Sequence, residues 1–285
     1  MQMDAQKVLI IGSGTVGFAT GNRLAKDGHI VTFYDNNPVV LEKLSKMGYL
    51  VANEPRDIPN FDVALISVQT NIDENGKYLL DSLRDSLNLT LSLAKKHQRT
   101  VHVGIRSTTF PGTISLLKNE LKQIDNSFEN FIRLAATPEL LRQKSAESDF
   151  AHSPIKYAGA EDEETREYFK KLFEKYCDQF LTFQNFEKAE MTKIAHNLAN
   201  SAEILFWNQL ALIADHFTIP IDEVKSIVTV TAESRTNKNY AWGNKNPLGG
   251  ACLPKDLRGV TNQCKSLEIN VSSLEGMIAL DDYFR

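Results

Sequence analysis

KVLIIGSGTVG, residues 7–17, joins an apolar run to three glycines spaced as G-x-G-x-x-G, and a helical pattern continues through Lys26. An apolar strand, a glycine turn and a helix in this order form the fingerprint of a dinucleotide-binding βα unit. The first glycine permits the tight turn, the second lets the backbone approach a pyrophosphate, and the third allows close helix packing. A glycine turn without a ligand is the alternative. The pattern predicts cofactor contacts from Gly12, Ser13, Gly14, Thr15, Val16 and Gly17.

The acidic residue after the second apolar run indicates which dinucleotide binds. IVTFY, residues 30–34, is followed by Asp35, where a carboxylate would meet the adenosine ribose. A carboxylate repels the 2′-phosphate of NADP, and Asn36 and Asn37 supply no compensating cation. The sequence therefore predicts NAD as the cofactor.

Further apolar runs alternate with helical patterns as far as about residue 185. The runs at 61–68, 100–105 and 131–136 have the character of buried parallel strands. Each delivers polar residues to its carboxyl end, where ligands bind in open α/β sheets. Thr70, Thr108 and Glu139 lie in these positions. The prediction is an α/β fold, a Rossmann-like doubly wound parallel sheet in residues 1–186.

A different pattern begins near residue 186 and predicts a long amphipathic helix over about residues 190–215. Polar residues that include Glu190, Lys193 and Asn197 recur at helical spacing along one face. A solvated face would show the same stripe. However, Lys193 and Asn197 are four residues apart, so they project together and can address one oxygen atom. We expect a helical domain in residues 187–285 built on this central helix.

GGACLPKD, residues 249–256, sets Cys252 between glycines and a Lys-Asp pair. Glycines let the backbone approach a ligand closely, and a nearby ammonium favours the reactive thiolate. This arrangement is typical of a nucleophile, although cysteine is also a common buried filler. Cys177 and Cys264 are widely separated from it, which predicts neither a disulfide framework nor a metal site.

Composition narrows the class of protein. The 285 residues are 42% hydrophobic and 24% charged, with a formal net charge of −4. These values indicate no nucleic acid partner and no membrane partner. The apolar runs are shorter than a membrane span and no signal peptide precedes the first strand, so we expect a cytoplasmic enzyme with a small-molecule substrate.

Taken in order along the chain, these motifs resemble the UDP-glucose/GDP-mannose 6-dehydrogenase family. Several motifs that agree in sequence order are far more specific than any one of them. The matching segments are GSGTVG at 12–17, RSTTFPGT at 106–113, TPELLRQKSAESDF at 137–150, AEMTKIAHNLANSAEILFWNQLA at 189–211 and GGACLPKD at 249–256.

The resemblance implies oxidation of a primary alcohol of a sugar or nucleotide sugar to a carboxylate, with two NAD and a cysteine thioester. By the same resemblance, Cys252 is the nucleophile, Lys193 and Asn197 bind the oxyanion, and Asp256 and Glu139 assist water or proton transfer. A homodimer through the long helix is implied as well. The remaining implied contacts are Thr70, Thr108, Gln143 and Lys255 for NAD, and Glu139, Leu140, Leu141, Arg142, Lys193, Asn197, Gly250 and Cys252 for the substrate.

The chain also departs from the family pattern. It stops at Arg285, so we expect a short form that lacks the family's third domain, which holds the nucleotide part of the substrate. Gln143 replaces the usual Glu, Gln69 the usual Pro, and Glu203 a common basic residue. Two alternatives therefore stay open. One is a two-electron NAD-dependent hydroxyacid or polyol dehydrogenase, which needs no thiol, and the other is a nonenzymatic NAD-binding module.

Overall fold

The structure is a computed structural model that describes residues 3–237, 240 and 243–285. The chain divides into two compact units, of which the first ends at His196 and the second covers Asn197–Arg285. One long helix contributes residues to both units, because it runs from Phe186 to His216. The two units are described in turn.

In the described residues, the first unit contains one sheet of eight strands in the order β3-β2-β1-β4-β5-β6-β7-β8. Central strands are buried along their whole length, as in Val63–Ile66, because helices cover both faces of a doubly wound sheet. The predicted α/β fold class is confirmed. The strands are β1 Lys7–Ile11, β2 Ile30–Tyr34, β3 Leu50–Ala52, β4 Val63–Ile66, β5 Val101–Ile105, β6 Ile132–Ala136, β7 Ser153–Gly159 and β8 Cys177–Phe183.

Seven α-helices connect or flank these strands within the described part of the first unit. They are α1 Thr15–Lys26, α2 Pro38–Lys46, α3 Asp81–Lys96, α4 Thr113–Ile124, α5 Phe128–Phe131, α6 Ala146–Ala151 and α7 Glu163–Phe173. Polar side chains cap the N-termini of two of these helices. The Asn37 side chain caps α2 by accepting from the Val39 amide, and Asp162 caps α7 by accepting from the Thr165 amide.

The sheet departs from the all-parallel expectation at one place. Strand β7 pairs antiparallel with β6, whereas its pairing with β8 is parallel. The connection from Ala136 to Ser153 contains a single 3-10 turn at Gln143–Ser145 and the short helix α6, so it does not make the crossover that a parallel pair requires. Helix α7 then makes that crossover between β7 and β8. The reversal brings β7 beside the carboxyl end of β6, where Glu139 lies.

The second unit is helical in its described residues. It contains the later part of α8 Phe186–His216, followed by α9 Ile221–Thr231, α10 Glu233–Thr236, α11 Cys252–Ser266 and α12 Ser272–Tyr283. Cys264, Val271 and Leu274 form a small apolar core there. The long central helix predicted over about 190–215 is confirmed and begins earlier, at Phe186. None of the helices in the described part of the chain combines the length and apolar content needed to cross a bilayer.

Candidate functional site

The glycine turn between β1 and α1 has the backbone geometry that the fingerprint requires. Gly12 has a φ of +86°, and a Cβ there would lie 2.8 Å from the Ser67 backbone. A Cβ at Gly17 would lie 2.0 Å from the Gly12 carbonyl oxygen. By contrast, a Cβ at Gly14 would meet no atom within 4 Å. The first and third glycines are needed for packing, and the second leaves the backbone open to a pyrophosphate.

A cavity of about 610 Å³ opens next to this turn. The Ser13–Thr15 backbone, helix α2 through Lys43, and the segment around Gln143 line it. The structure therefore brings Gln143 to the fingerprint from a distant part of the sequence. This position is consistent with the predicted contact between Gln143 and the cofactor. The phosphates of a dinucleotide would meet backbone amides at the start of α1.

Asp35 holds the turn from the end of β2. Its carboxylate accepts hydrogen bonds from the Ser13 amide at 2.7 Å and from the Asn37 amide at 2.9 Å. These bonds fix the carboxylate at the edge of the turn, where an adenosine ribose binds in this kind of fold. The acidic charge at that position opposes a 2′-phosphate.

We expect the protein to bind NAD at least about tenfold more tightly than NADP, since a nearby carboxylate destabilises the extra phosphate by more than about 1.4 kcal/mol. Calorimetric titration of each dinucleotide measures the ratio. Asp35→Asn should reduce the ratio of NAD affinity to NADP affinity, while the asparagine side chain keeps an oxygen that accepts from the Ser13 amide. Equal binding of the two dinucleotides by the unaltered protein would show that Asp35 does not select the cofactor.

The loops after β4 and β5 are tied together beside the turn. Thr70 donates its hydroxyl to the Thr108 carbonyl oxygen at 2.7 Å, and Ser107 donates its hydroxyl to the Val68 carbonyl oxygen at 2.6 Å. Both predicted cofactor residues, Thr70 and Thr108, therefore lie at the carboxyl edge of the sheet. The Thr70 hydroxyl thus holds the two loops together through the Thr108 backbone.

Glu139 lies past the end of β6 and is buried, with 7% of its surface exposed. Its carboxylate contacts two cations, the Arg106 guanidinium and the Lys156 ammonium. The Lys156 nitrogen lies 3.0 and 3.1 Å from the two carboxylate oxygens. Burial opposes ionisation, but the two cations outweigh it and hold the pKa of Glu139 below its ordinary value. Glu139 is therefore a fixed carboxylate.

Lys193 is half-buried on α8 and interacts electrostatically with Glu139. Burial lowers the pKa of Lys193, because desolvation disfavours the ammonium more than the attraction of Glu139 favours it. A lysine with a lowered pKa can exchange a proton with a reacting alcohol more readily than an ordinary surface lysine. The structure thus couples these two predicted catalytic residues within the first unit.

The first residues of the polar stripe predicted on α8 make hydrogen bonds that hold this helix against α4. The Glu190 carboxylate is buried and accepts hydrogen bonds from the Gly112 amide at 2.8 Å and the Ile114 amide at 3.0 Å. Gly112 is the residue before α4 and Ile114 belongs to its first turn, so Glu190 caps that helix. Glu187 accepts a bond from Ser115 at 2.5 Å in the same region. Both contacts fix the helix that carries Lys193.

The other residues predicted to contact substrate, 140–142, are engaged locally. Leu140 and Leu141 pack against the apolar core of the sheet. The Arg142 guanidinium bonds to both oxygens of Asp149, at 2.8 and 3.0 Å. This bidentate contact and a bond from the Arg142 amide hold the pKa of Asp149 below its ordinary value. A substrate would find Arg142 already paired.

In the second unit, Cys252 is the first residue of α11 and is exposed. Gly250 precedes it with a φ of +73°, a conformation that glycine adopts without strain. A helix N-terminus favours negative charge, which suits a thiolate or a developing oxyanion. Lys255 and Asp256 are exposed and pair with each other at 2.9 Å. Asn197 is an exposed residue of α8.

The C-terminal helix anchors the segment before Cys252. Asp281 of α12 is buried and accepts a bond from the Leu248 amide at 2.6 Å. Arg258 and Arg285 contact the same carboxylate at 3.2 and 2.9 Å. The backbone bond is the main reason that the pKa of Asp281 lies below its ordinary value, and the two arginines add to it.

Sequence reasoning placed Arg106 among the polar residues at the carboxyl edge of the sheet but missed its contact with Glu139, and it missed Lys156. Arg106 follows a fully apolar strand end, and Lys156 interrupts the otherwise uncharged strand β7. A single charge inside a buried strand is the signal that could have identified Lys156. Across the described ranges, no group of three or more His, Cys, Asp or Glu side chains is arranged to hold a metal ion.

The fold and the glycine turn define a dinucleotide-binding α/β protein with a helical second unit. The chain belongs to the UDP-glucose/GDP-mannose dehydrogenase family. The model of that family's NAD binding domain matches residues 45–177, and the model of its central domain matches residues 187–283. NAD, the cofactor predicted from the sequence, is thereby confirmed. A model for ketopantoate reductase PanE/ApbA matches residues 8–78 of the nucleotide-binding part.

Individual relatives agree with this family. The chain is 26% identical to UDP-glucose 6-dehydrogenase of Rickettsia typhi, over 95% of this chain and 65% of the relative. It is also 26% identical to GDP-mannose 6-dehydrogenase of Pseudomonas syringae pv. tomato, over 95% of this chain and 67% of the relative. It thus spans about two thirds of the length of these curated relatives.

A solved structure has the same fold as this chain. The GDP-mannose dehydrogenase of Pseudomonas aeruginosa, in a ternary complex, matches with a TM-score of 0.87 at 22% identity. The match covers 97% of this chain and 68% of that structure. At this identity the likeness supports the architecture alone.

Proposed function

We propose that the protein oxidises a primary alcohol of a nucleotide sugar to a carboxylate through a thioester on Cys252. The exposed position of this thiol at the start of α11 carries the proposal. A dehydrogenase that removes only two electrons does not need a nucleophile. The family relationship supports the substrate class, because the relatives are named for UDP-glucose and GDP-mannose.

The proposed chemistry has two oxidations and one hydrolysis. NAD supplies the hydride acceptor in each oxidation, so two cofactor molecules serve one substrate. Loss of a hydride and the alcohol proton gives an aldehyde, to which the Cys252 sulfur adds to form a thiohemiacetal. Loss of a second hydride and proton leaves the thioester. Water then breaks the carbon–sulfur bond, releasing the carboxylate and restoring the thiol.

We assign the protein residues by their charge and position. Lys193 takes up the alcohol proton in the first step, which its lowered pKa favours. Lys193 and Asn197 then donate to the oxyanion of the thiohemiacetal and of the hydrolysis step. Asp256 orients the water or transfers its proton. Glu139, held ionised by its cations, supplies fixed negative charge near Lys193.

A panel of nucleotide sugars and free polyols, assayed for NADH formation, tests this function directly. The expected result is two NADH and one acid for each nucleotide sugar consumed. One NADH per substrate with a hydroxyacid or polyol would identify the two-electron class, which Lys193 and Asn197 also fit. Binding of NAD without turnover of any compound would identify a nonenzymatic NAD-binding module.

We propose a homodimer through α8, working in the cytoplasm. Four apolar residues of this helix recur every seven positions and are 48 to 61% exposed: Met191, Leu198, Leu205 and Leu212. A stripe with this spacing lies along one side of a helix and is suited to a second copy.

Sedimentation equilibrium at tens of micromolar, an order-of-magnitude choice for a specific interface, should therefore give the mass of a dimer. Leu198→Glu places a charge within the stripe and should shift the equilibrium to monomer. Lys188→Glu, at an exposed position on the same helix, is the matched control. A monomer for the unaltered protein would contradict this assembly.

A further inference from the structure

The Lys156 side chain is buried and contacts the Glu139 carboxylate. Only 5% of it is exposed, and its nitrogen lies 4.1 Å from the centre of the Phe150 ring. The Arg106 guanidinium, which bonds to the same carboxylate, lies 5.6 Å from that ring and 5.2 Å from the Phe173 ring. Aromatic rings therefore exclude water from both cations.

Two buried cations on one carboxylate exceed what charge balance requires. Removing an ammonium from water is costly, and one partner would already satisfy Glu139. Burial lowers the pKa of Lys156, and the nearby Arg106 adds to that effect, although Glu139 opposes both. A second cation that is unfavourable to bury must contribute something that Arg106 alone does not. Because Arg106 follows β5 and Lys156 lies in β7, the two cations approach the carboxylate from different parts of the sheet and together restrict it to one orientation.

We infer that Lys156 is a positioning residue, which with Arg106 fixes the Glu139 carboxylate in one ionised orientation for the reaction. This inference rests on the proposed function, since it takes Glu139 to belong to the catalytic centre. Lys156 itself touches neither reactant in this scheme and acts through Glu139.

The charged and titratable neighbours of this cluster point to one consequence for Lys193. Glu139 attracts the Lys193 proton, whereas Arg106 and Lys156 offset that attraction. In the part of the chain that the structure describes, titratable neighbours of these residues include Tyr157 and Cys177, near Glu139 and Lys156, and His196, near Lys193. Removal of the Lys156 charge would leave Glu139 less neutralised, and the pKa of Lys193 would rise.

The activity test compares Lys156→Met, Lys156→Arg and Glu139→Gln with the double variant Lys156→Met/Glu139→Gln, all in the full chain. Lys156→Met should lower kcat by roughly ten- to hundredfold, because a misplaced catalytic group is costly. Its activity should also require a higher pH, as Lys193 must lose its proton. Lys156→Arg should restore most of the rate. In the Glu139→Gln background, Lys156→Met should have little further effect.

A second measurement does not depend on activity. The pKa of Glu139 is held below its ordinary value of 4.5, so its contribution to stability is present above that pH and is lost as the pH falls through the folded value. Lys156→Met raises the pKa of Glu139 in the folded protein, because one of its two cations is lost. Urea unfolding between about pH 3 and pH 7 should therefore show a smaller loss of stability on acidification in this variant than in the unaltered protein. The Glu139→Gln background should show no such change.

The outcomes separate this inference from the proposed function. If no substrate is oxidised by the unaltered protein but the stability shift appears, the proposed function fails and the ion-pair role of Lys156 stands without a catalytic one. Equal effects of Lys156→Met on kcat with and without Glu139 would overturn the inference. So would a rate and pH profile unchanged by Lys156→Met in a protein that forms acid.

Discussion

Replacement of Cys252 by serine is expected to reduce acid formation by on the order of a thousandfold or more, because removal of a covalent nucleophile is among the most costly changes to an enzyme. An alcohol is a poorer nucleophile than a thiolate, and its ester hydrolyses less readily. NAD binding should stay within about twofold, since the glycine turn and Asp35 belong to the first unit. The variant should therefore retain the cofactor and lose the product.

Mass spectrometry of protein quenched during turnover checks this expectation, with a count of NADH per substrate. The unaltered protein should carry an acyl group on Cys252. The matched control is Cys177→Ser, which changes a half-buried thiol that hydrogen-bonds to backbone groups of Phe173, Glu174 and Lys156. A fully active Cys252→Ser variant, with one NADH per turnover, would refute the thioester and favour the two-electron class.

Replacement of Lys193 by methionine should lower kcat by about a hundred- to a thousandfold, the usual cost of losing an oxyanion donor. The loss should be larger if the lysine also takes up the alcohol proton. Methionine keeps the length and the apolar part of the side chain, so the half-buried position stays filled. The KM for NAD should change little, because the expected defect is in the chemical step.

Steady-state kinetics and single-turnover kinetics of Lys193→Met measure this loss. Lys188→Met is the control, because Lys188 is exposed on the same helix and its nitrogen lies 4.7 Å from the Phe183 ring. A normal kcat in Lys193→Met, together with a defect in Lys188→Met, would contradict the assignment. Equal, small losses in both variants would point to helix packing instead of catalysis.

Local patterns in the sequence were sufficient for the nucleotide-binding half of the fold. A turn that needs Gly12 and Gly17 for steric reasons must be encoded by adjacent residues, so G-x-G-x-x-G could be identified without a structure. The same holds for Asp35, which directly follows its strand, and for the long helix, whose residues contain no proline or glycine between Phe186 and His216. The change of pattern near residue 186 predicts a separate helical part, and the structure divides the chain into its two units after His196.

Contacts between distant segments could not be predicted in the same way. The antiparallel pairing of β7 depends on the path of the 137–152 connection, not on the composition of the strand. Glu190 was assigned to a polar stripe, but its partners are amides of α4, more than seventy residues earlier in the chain. The contact between Lys156 and Glu139 depends on the position of β7, which the sequence around Lys156 does not encode. Such contacts leave no periodic signal.

The hydrogen bond between Asp281 and the Leu248 amide should make the attachment of the segment before Cys252 resistant to mild acid. This carboxylate has a pKa below its ordinary value of 3.8, so it remains charged in any mildly acidic medium. The bond to Leu248 should then persist as the pH falls, and weaken only in strongly acidic solution as Asp281 takes up a proton. A change to mildly acidic pH would therefore leave Leu248, four residues before Cys252, attached to the last helix.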